Sequence, residues 1–241
     1  MIKEIAITMF KKSESLLIEY GEISLDALTS DPVIRELPVI NTFVGLYKGA
    51  ASVRDLYLAK KMYAFVKEIR SSSVSPEVLA KRLQAAKKGE KWLYEEVERL
   101  IVAIDRLNSE DKTKICAQLY IAYLNSYIKA SDFEDMLFIV EQWLNSDTSQ
   151  LLSLFQAIEF RRKPHEIGDG CIIMKDPTRC GRLVGLGVLC TKLNIVSSNS
   201  QIEYNVTLYG TILSEILKEG RVYTDYYKDE REARVKSGMP I

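Results

Sequence analysis

Four cysteines, one histidine and a few close-set carboxylates are the side chains here that could hold a metal or supply a nucleophile and a base. Cys116, Cys171, Cys180 and Cys190 include no C-x-x-C pair, and the last three are separated by eight and nine residues. His165 is the sole histidine. A structural zinc ion takes four Cys or His ligands, commonly in closely spaced pairs. The spacing therefore points to free or buried thiols in a reducing compartment, and no metal site is expected. Glu95, Glu96 and Glu98 crowd one stretch. Carboxylate metal sites in helical bundles add a Glu-x-x-His step, which is missing, and nothing selects a pair for acid–base work. The three read as a solvated acidic face. With no catalytic motif and no cofactor loop, the expected protein is non-enzymatic and carries no cofactor.

A second group could touch nucleic acid. Arg161-Arg162-Lys163 is the one dense basic cluster; it could grip phosphate, or end a helix where cations suit the negative dipole. Thr178, Arg179 and Arg182 share one face of a short helix, where Arg can reach phosphates or guanine edges. Tyr120, Tyr123 and Tyr127 form a helical stripe that could stack bases, though half-buried bundle tyrosines with wet hydroxyls fit better. Charge weighs against nucleic acid. Lys+Arg and Asp+Glu are both 33. Between Asp169 and Gly220, Lys175, Arg179, Arg182, Lys192 and Lys218 are matched by Asp169, Asp176, Glu203, Glu215 and Glu219. Phosphate contacts supply most non-specific DNA affinity, so a neutral module is a poor DNA binder.

These residues need elements to hold them. Pro and Gly are scarce at 6 and 12, which favours helices. A first amphipathic helix is expected over 2–20, with Ile5, Met9 and Leu16 near one stripe and Gly21 as its stop. Apolar repeats at three and four run from Val39 to Arg70, broken at Arg54-Asp55. Ser75-Pro76-Glu77 opens a helix to about Lys88-Gly89. Further helices are expected over Lys91–Leu107, from Ser109-Glu110-Asp111, from a capping box at Ser131-Asp132-Phe133-Glu134, and from Asp147 to about Phe160. After Arg161 the glycines and β-branched residues rise. Cys171-Ile172-Ile173-Met174 reads as a strand, and Asp176-Pro177 opens a helix anchored inward by Leu183, Leu186 and Leu189. Thr191–Val196 and Gln201–Val206 flank the polar turn Ser197-Ser198-Asn199-Ser200 as a hairpin. Thr207 caps a last helix that ends at Gly220. The charged, tyrosine-dotted residues 221–241 are expected to be partly ordered at best.

The chain thus divides into a helical domain over 1–160, a small α+β module over 161–220 and a charged tail over 221–241. The fold class is mainly α, a helical bundle or array followed by that module. No signal-peptide layout opens the sequence. The most apolar stretch, Leu37 to Val53, is interrupted by Asn41 and Lys48. Within it Phe43, Gly45, Tyr47 and Gly49 give the close-packing face of a partner or membrane-active helix, but the run falls short of the roughly 18–20 residues of a membrane span.

Two stretches carry resemblances. Leu37-Pro38-Val39-Ile40, Gly45-Leu46-Tyr47-Lys48, Val53-Arg54-Asp55 and Lys60-Lys61 resemble the N-terminal signature of a family of uncharacterised bacterial helical proteins. Leu186-Gly187-Val188-Leu189, the hairpin, and Val206-Thr207-Leu208-Tyr209-Gly210 resemble the ending of winged-helix domains, from which Tyr209 before the glycine and the long charged tail depart. The first resemblance implies a bacterial cytoplasmic protein with a link to regulation or defence, and it brings no catalytic residues. The expected function is a non-enzymatic interaction protein acting through a protein partner. The alternatives are a winged-helix DNA regulator using Thr178, Arg179 and Arg182, and a membrane-perturbing effector using residues 38–53. Membrane contact is the least expected of these, and self-association is compatible with the first.

Overall fold

The computed structural model describes residues 2–11, 24, 27–28, 31, 34, 40–41, 52–143, 147–148, 171–173, 177–196 and 199–237. For 171–173, 177–180, 192–196, 199–205, 234 and 235 the backbone alone is described. The protein is mainly helical, with a small three-stranded sheet late in the chain. It forms two compact units, Met1–Asn125 and Ser126–Ile241. The division falls well before the composition change at Arg161, so a helix expected to belong with the N-terminal bundle groups with the sheet instead.

Unit 1 holds α1 (Ile2–Phe10), α2 (Val53–Ser71), α3 (Pro76–Lys88), α4 (Lys91–Arg106) and α5 (Glu110–Leu124). Their ends are set locally. The Ser52 hydroxyl accepts from the Asp55 N–H while the Asp55 carboxylate accepts from the Ser52 N–H, a reciprocal cap. Arg54 and Asp55, read as a break, therefore lie in the first turn of α2. Ser75 accepts from the Glu77 N–H, Pro76 sits where no N–H is needed, and Gly89 closes α3 with φ 79°, a conformation in which a Cβ would be strained. Ser109 caps α5 through the Lys112 N–H.

The apolar stripes then fix the packing. Ile5, Ala6, Met9 and Phe10 of α1 are buried against α3 and α4, while Met62, Phe65, Val66 and Ile69 of α2 face α5, which contributes Cys116, Leu119 and Tyr120. Leu93, Val97, Leu100 and Ile104 form the inner face of α4. Full burial of each such side chain contributes about 1.5–3 kcal/mol. Lys61 is buried too, and its ammonium donates to the carbonyls of Asp105 (2.7 Å) and Leu107 (2.8 Å). It thereby satisfies acceptors that the end of α4 leaves open.

Unit 2 holds α6 (Ala130–Gln142), β1 (Cys171–Ile173), α7 (Pro177–Gly185), β2 (Leu189–Val196), β3 (Asn199–Val206), α8 (Leu208–Glu219) and α9 (Lys228–Lys236). The sheet is antiparallel in the order β1-β3-β2, so β3 is central. The β2–β3 register runs from Leu189 opposite Val206 to Val196 opposite Asn199, and β1 pairs Cys171 with Asn205. β2 and β3 each begin two residues earlier than expected, at Leu189 and Asn199, and end where expected, at Val196 and Val206.

Three further expectations are corrected here. Ser131 is not the cap of α6. Lys129 holds that place, and the Asp132 carboxylate accepts from its N–H at 3.2 Å. The helix from Pro177 stops at Gly185, and Gly187 with φ 73° turns the chain. Leu189 is therefore a strand residue, while Leu183 is the buried anchor of α7. The C-terminal segment is ordered through Ser237. Val222 is buried, and α9 follows. The parts of the expected helices over 12–20 and 149–160, and residues 42–51, lie outside the described residues.

Candidate functional site

The α7 face carries the residues of the alternative, DNA-binding reading. Thr178 and Arg179 lie on the first turns of α7, where the backbone alone is described. Arg182 is placed at the surface, and its guanidinium reaches back to Asp147. Nε donates to both oxygens of Asp147, at 3.2 and 2.9 Å, and a terminal nitrogen donates to the Gln142 carbonyl at 2.9 Å. Asp147 is 1% exposed and the Arg182 side chain 44%. A buried carboxylate needs a paired charge to offset its desolvation, and Arg182 is that charge. The helix end of α6, Asp147 and α7 are thus tied by one side chain. Arg161, Arg162 and Lys163, and Phe43, Gly45, Tyr47 and Gly49, lie outside the described residues.

The densest chemistry in unit 1 lies on the inner faces of α3, α4 and α5. Arg82 reaches Glu96 at 2.5 Å, Tyr120 at 3.1 Å and Tyr123 at 3.5 Å. The rings of Trp92, Tyr123, Phe10 and Tyr120 stand 5.4, 5.5, 5.7 and 5.8 Å from its guanidinium carbon, within cation–π range. The Tyr120 hydroxyl donates to Glu96 at 2.5 Å. Burial alone would lower the Arg82 pKa, but Tyr120 and Glu96 beside it reverse the direction and hold it above the usual value. Burial, with Glu96 adding to it, pushes the Tyr120 hydroxyl well above the usual tyrosine range against the pull of Arg82. Both groups therefore keep their ordinary neutral-pH charge. Through these contacts the cluster ties α1, α3, α4 and α5 together.

Glu96 had been grouped with a solvated acidic face. It sits three residues after Leu93 and four before Leu100, on the buried stripe of α4, and that spacing was the available signal. Tyr120 is fully buried and closer to the expected bundle role than to base stacking. Glu95 stays at the surface with Lys91 at 3.5 Å.

Unit 2 has a second polar cluster. The Tyr227 hydroxyl donates to Asp132 at 2.6 Å, and the Tyr209 hydroxyl donates to Asp135 at 2.8 Å with Asp132 3.4 Å away. Lys129 pairs with Glu230 at 2.7 Å and lies 4.2 Å from the centre of the Tyr227 ring. Glu215 of α8 accepts from the N–H of Tyr223 at 2.6 Å through one oxygen and from the Tyr226 hydroxyl at 2.6 Å through the other. Burial and these carboxylates raise the Tyr226 and Tyr227 hydroxyls far above the usual range. Sequence reading missed this cluster because it joins α6 to residues some 95 positions later.

Large apolar side chains are also left at the surface, among them Phe138 of α6 at 63% and Val53 of α2 at 68% exposure. Among the described residues no three His, Cys, Asp or Glu side chains are grouped to hold a metal ion, and no helix is long and apolar enough to cross a membrane. Comparison with protein-family models, with curated proteins and with solved structures finds no match.

Proposed function

We propose that the chain is a non-enzymatic cytoplasmic interaction protein, and that the late part of unit 2 is a winged-helix-like module serving protein contact rather than DNA. The observation that carries this reading is Arg182. Among the trio its side chain alone is described, and its Nε and one terminal nitrogen are engaged by Asp147 and the Gln142 carbonyl. A free Arg fork is what reads guanine or phosphate. The strand order β1-β3-β2, with α7 leading into the β2–β3 hairpin and α8 after it, supports the winged shape. Three residues separate β1 from α7, too few for the additional helix that a helix-turn-helix reader seats behind its recognition helix. Phe138 adds an exposed aromatic side chain of the kind enriched at protein interfaces.

Two measurements test this. Anisotropy with labelled duplex DNA at low salt should show no salt-dependent binding. A photo-crosslinking residue at position 138, introduced in the source cells, should yield one discrete protein adduct that is lost on altering the neighbouring surface. DNA binding abolished by Arg179→Ala would replace this reading with the DNA-regulator alternative.

A further inference from the structure

We infer that residues 221–237 form a strap that closes over the start of α6 and over α8 and is built to detach, covering the surface that receives the partner. The inference rests on the protein-partner reading above. Its basis is the kind of contact that holds the segment. Segments fixed permanently to a unit are held by buried apolar side chains. Here Val222 is the fully packed apolar anchor, and Tyr223 is about half exposed. Among the described side chains the other attachments are the partly buried Tyr226 and Tyr227 and a set of hydrogen bonds and ion pairs. Glu215 gathers the N–H groups of Tyr223 and Thr224 and the hydroxyl of Tyr226. Asp132 takes the hydroxyl of Tyr227. The Tyr226 N–H donates to the Tyr127 carbonyl at 3.2 Å. Lys129 pairs with Glu230, and Arg231 with Asp225 inside the strap itself. Water replaces an exposed pair such as Lys129–Glu230 at little net cost, and the carboxylate-bound hydroxyls of Tyr226 and Tyr227 are the firmer attachments.

Gly220, with φ 71° at the end of α8, gives the strap its turn and a place to swing from. When it leaves, Asp132 loses the Tyr227 hydroxyl, Glu215 loses the Tyr226 hydroxyl and the N–H groups of Tyr223 and Thr224, and Lys129 loses Glu230, while Asp135 keeps Tyr209 of α8. The face then exposed is acidic. It fits a partner segment that presents hydroxyl donors, as the strap itself does with Tyr226 and Tyr227, or cationic ones.

The test uses the full chain and no partner. Hydrogen exchange is compared between the parent and the Tyr226→Phe, Tyr227→Phe double variant. Amides 223–227 should exchange at least tenfold faster in the variant, while those of β2 and β3 keep the parent rate. A labelled peptide of residues 221–237 is then added to each. It should bind the double variant at least tenfold more tightly than the parent, and lose that binding at high salt. Unchanged exchange, faster exchange throughout β2 and β3, or equal peptide binding to both proteins would each overturn the strap. Because no partner enters, a failed strap leaves the protein-partner reading standing, and DNA binding would sink that reading alone.

Discussion

Replacing Glu96 by Ala should be the most costly single change in unit 1 outside its apolar core. The pair it breaks is shielded: the side chains of Arg82 and Glu96 are 11% and 13% exposed. Removing one partner of a buried ion pair costs about 3–5 kcal/mol, because the other charge is stranded. Arg82 would keep the two tyrosine hydroxyls and four ring faces, and cation–π contact returns about 0.5–2 kcal/mol of that loss. The net cost should be about 2–4 kcal/mol, which lowers Tm by roughly 10 °C for a unit of this size. Glu96→Gln keeps an acceptor for Tyr120 and Arg82 and should cost about 1–2 kcal/mol. Arg82→Met with Glu96→Leu removes both charges and should recover part of the loss, short of the parent by about 1–3 kcal/mol because the buried Tyr120 hydroxyl loses Glu96 and Arg82. The assay is built into the molecule. Trp92 stands beside Arg82 in unit 1 and Trp143 is buried in unit 2. In a Trp143→Phe background, tryptophan emission during urea unfolding reports unit 1 alone. A Glu96→Ala cost below about 1 kcal/mol, or a double replacement as damaging as the single one, would refute the argument that the pair is desolvated and mutually dependent.

Other outcomes follow from the same geometry. A Cβ at Gly210 would run into the Val188 carbonyl and the Val206 side chain, so Gly210→Ala should cost about 2–3 kcal/mol, read from Trp143 emission as unit 2 unfolds. Tyr120 has its pKa raised by burial, so its contribution is complete below the ordinary tyrosine pKa near 10 and fades as pH climbs through its own higher value. Urea midpoints measured from pH 8 to 11 should fall with rising pH, and less steeply in Tyr120→Phe. Burial pushes the Cys116 thiol up to about 12 while Cys190 is exposed, so maleimide labelling mapped by mass spectrometry should find Cys190 in the native protein and Cys116 only after unfolding.

What the sequence made legible was local. Ser75-Pro76-Glu77 and Gly89 bound α3 because capping and left-handed turns depend on neighbours within a few residues, and Thr207 and Gly220 bound α8 for the same reason. The mainly helical class followed from the three–four spacing of Leu93, Val97, Leu100 and Ile104. The polar sites were not legible. Glu96 meets Arg82 from a different helix, and Asp132 meets Tyr227 across most of unit 2. No local rule pairs such residues. Arg182 and Asp147 stand 35 positions apart, and no local rule announces that the acid is buried while the arginine beside it is exposed. The glycine signal at 185–187 was present but outweighed by the leucine spacing, which is why α7 was drawn too long.

The junction at Thr207 and Gly210 has a kinetic consequence. The Thr207 hydroxyl lies against the Gly187 and Val188 carbonyls, its own N–H donates to Val188, and its oxygen caps the Gly210 N–H. This knot sits at the open end of the β2–β3 hairpin, where Leu189 faces Val206, farthest from the turn. In a hairpin that zips outward from its turn that end closes last, and the knot is then expected to form on the native side of the folding barrier. Loosening it should speed unfolding of unit 2 more than it slows refolding. The point where strand gives way to α8 is thus where a substitution should shorten the lifetime of the folded unit.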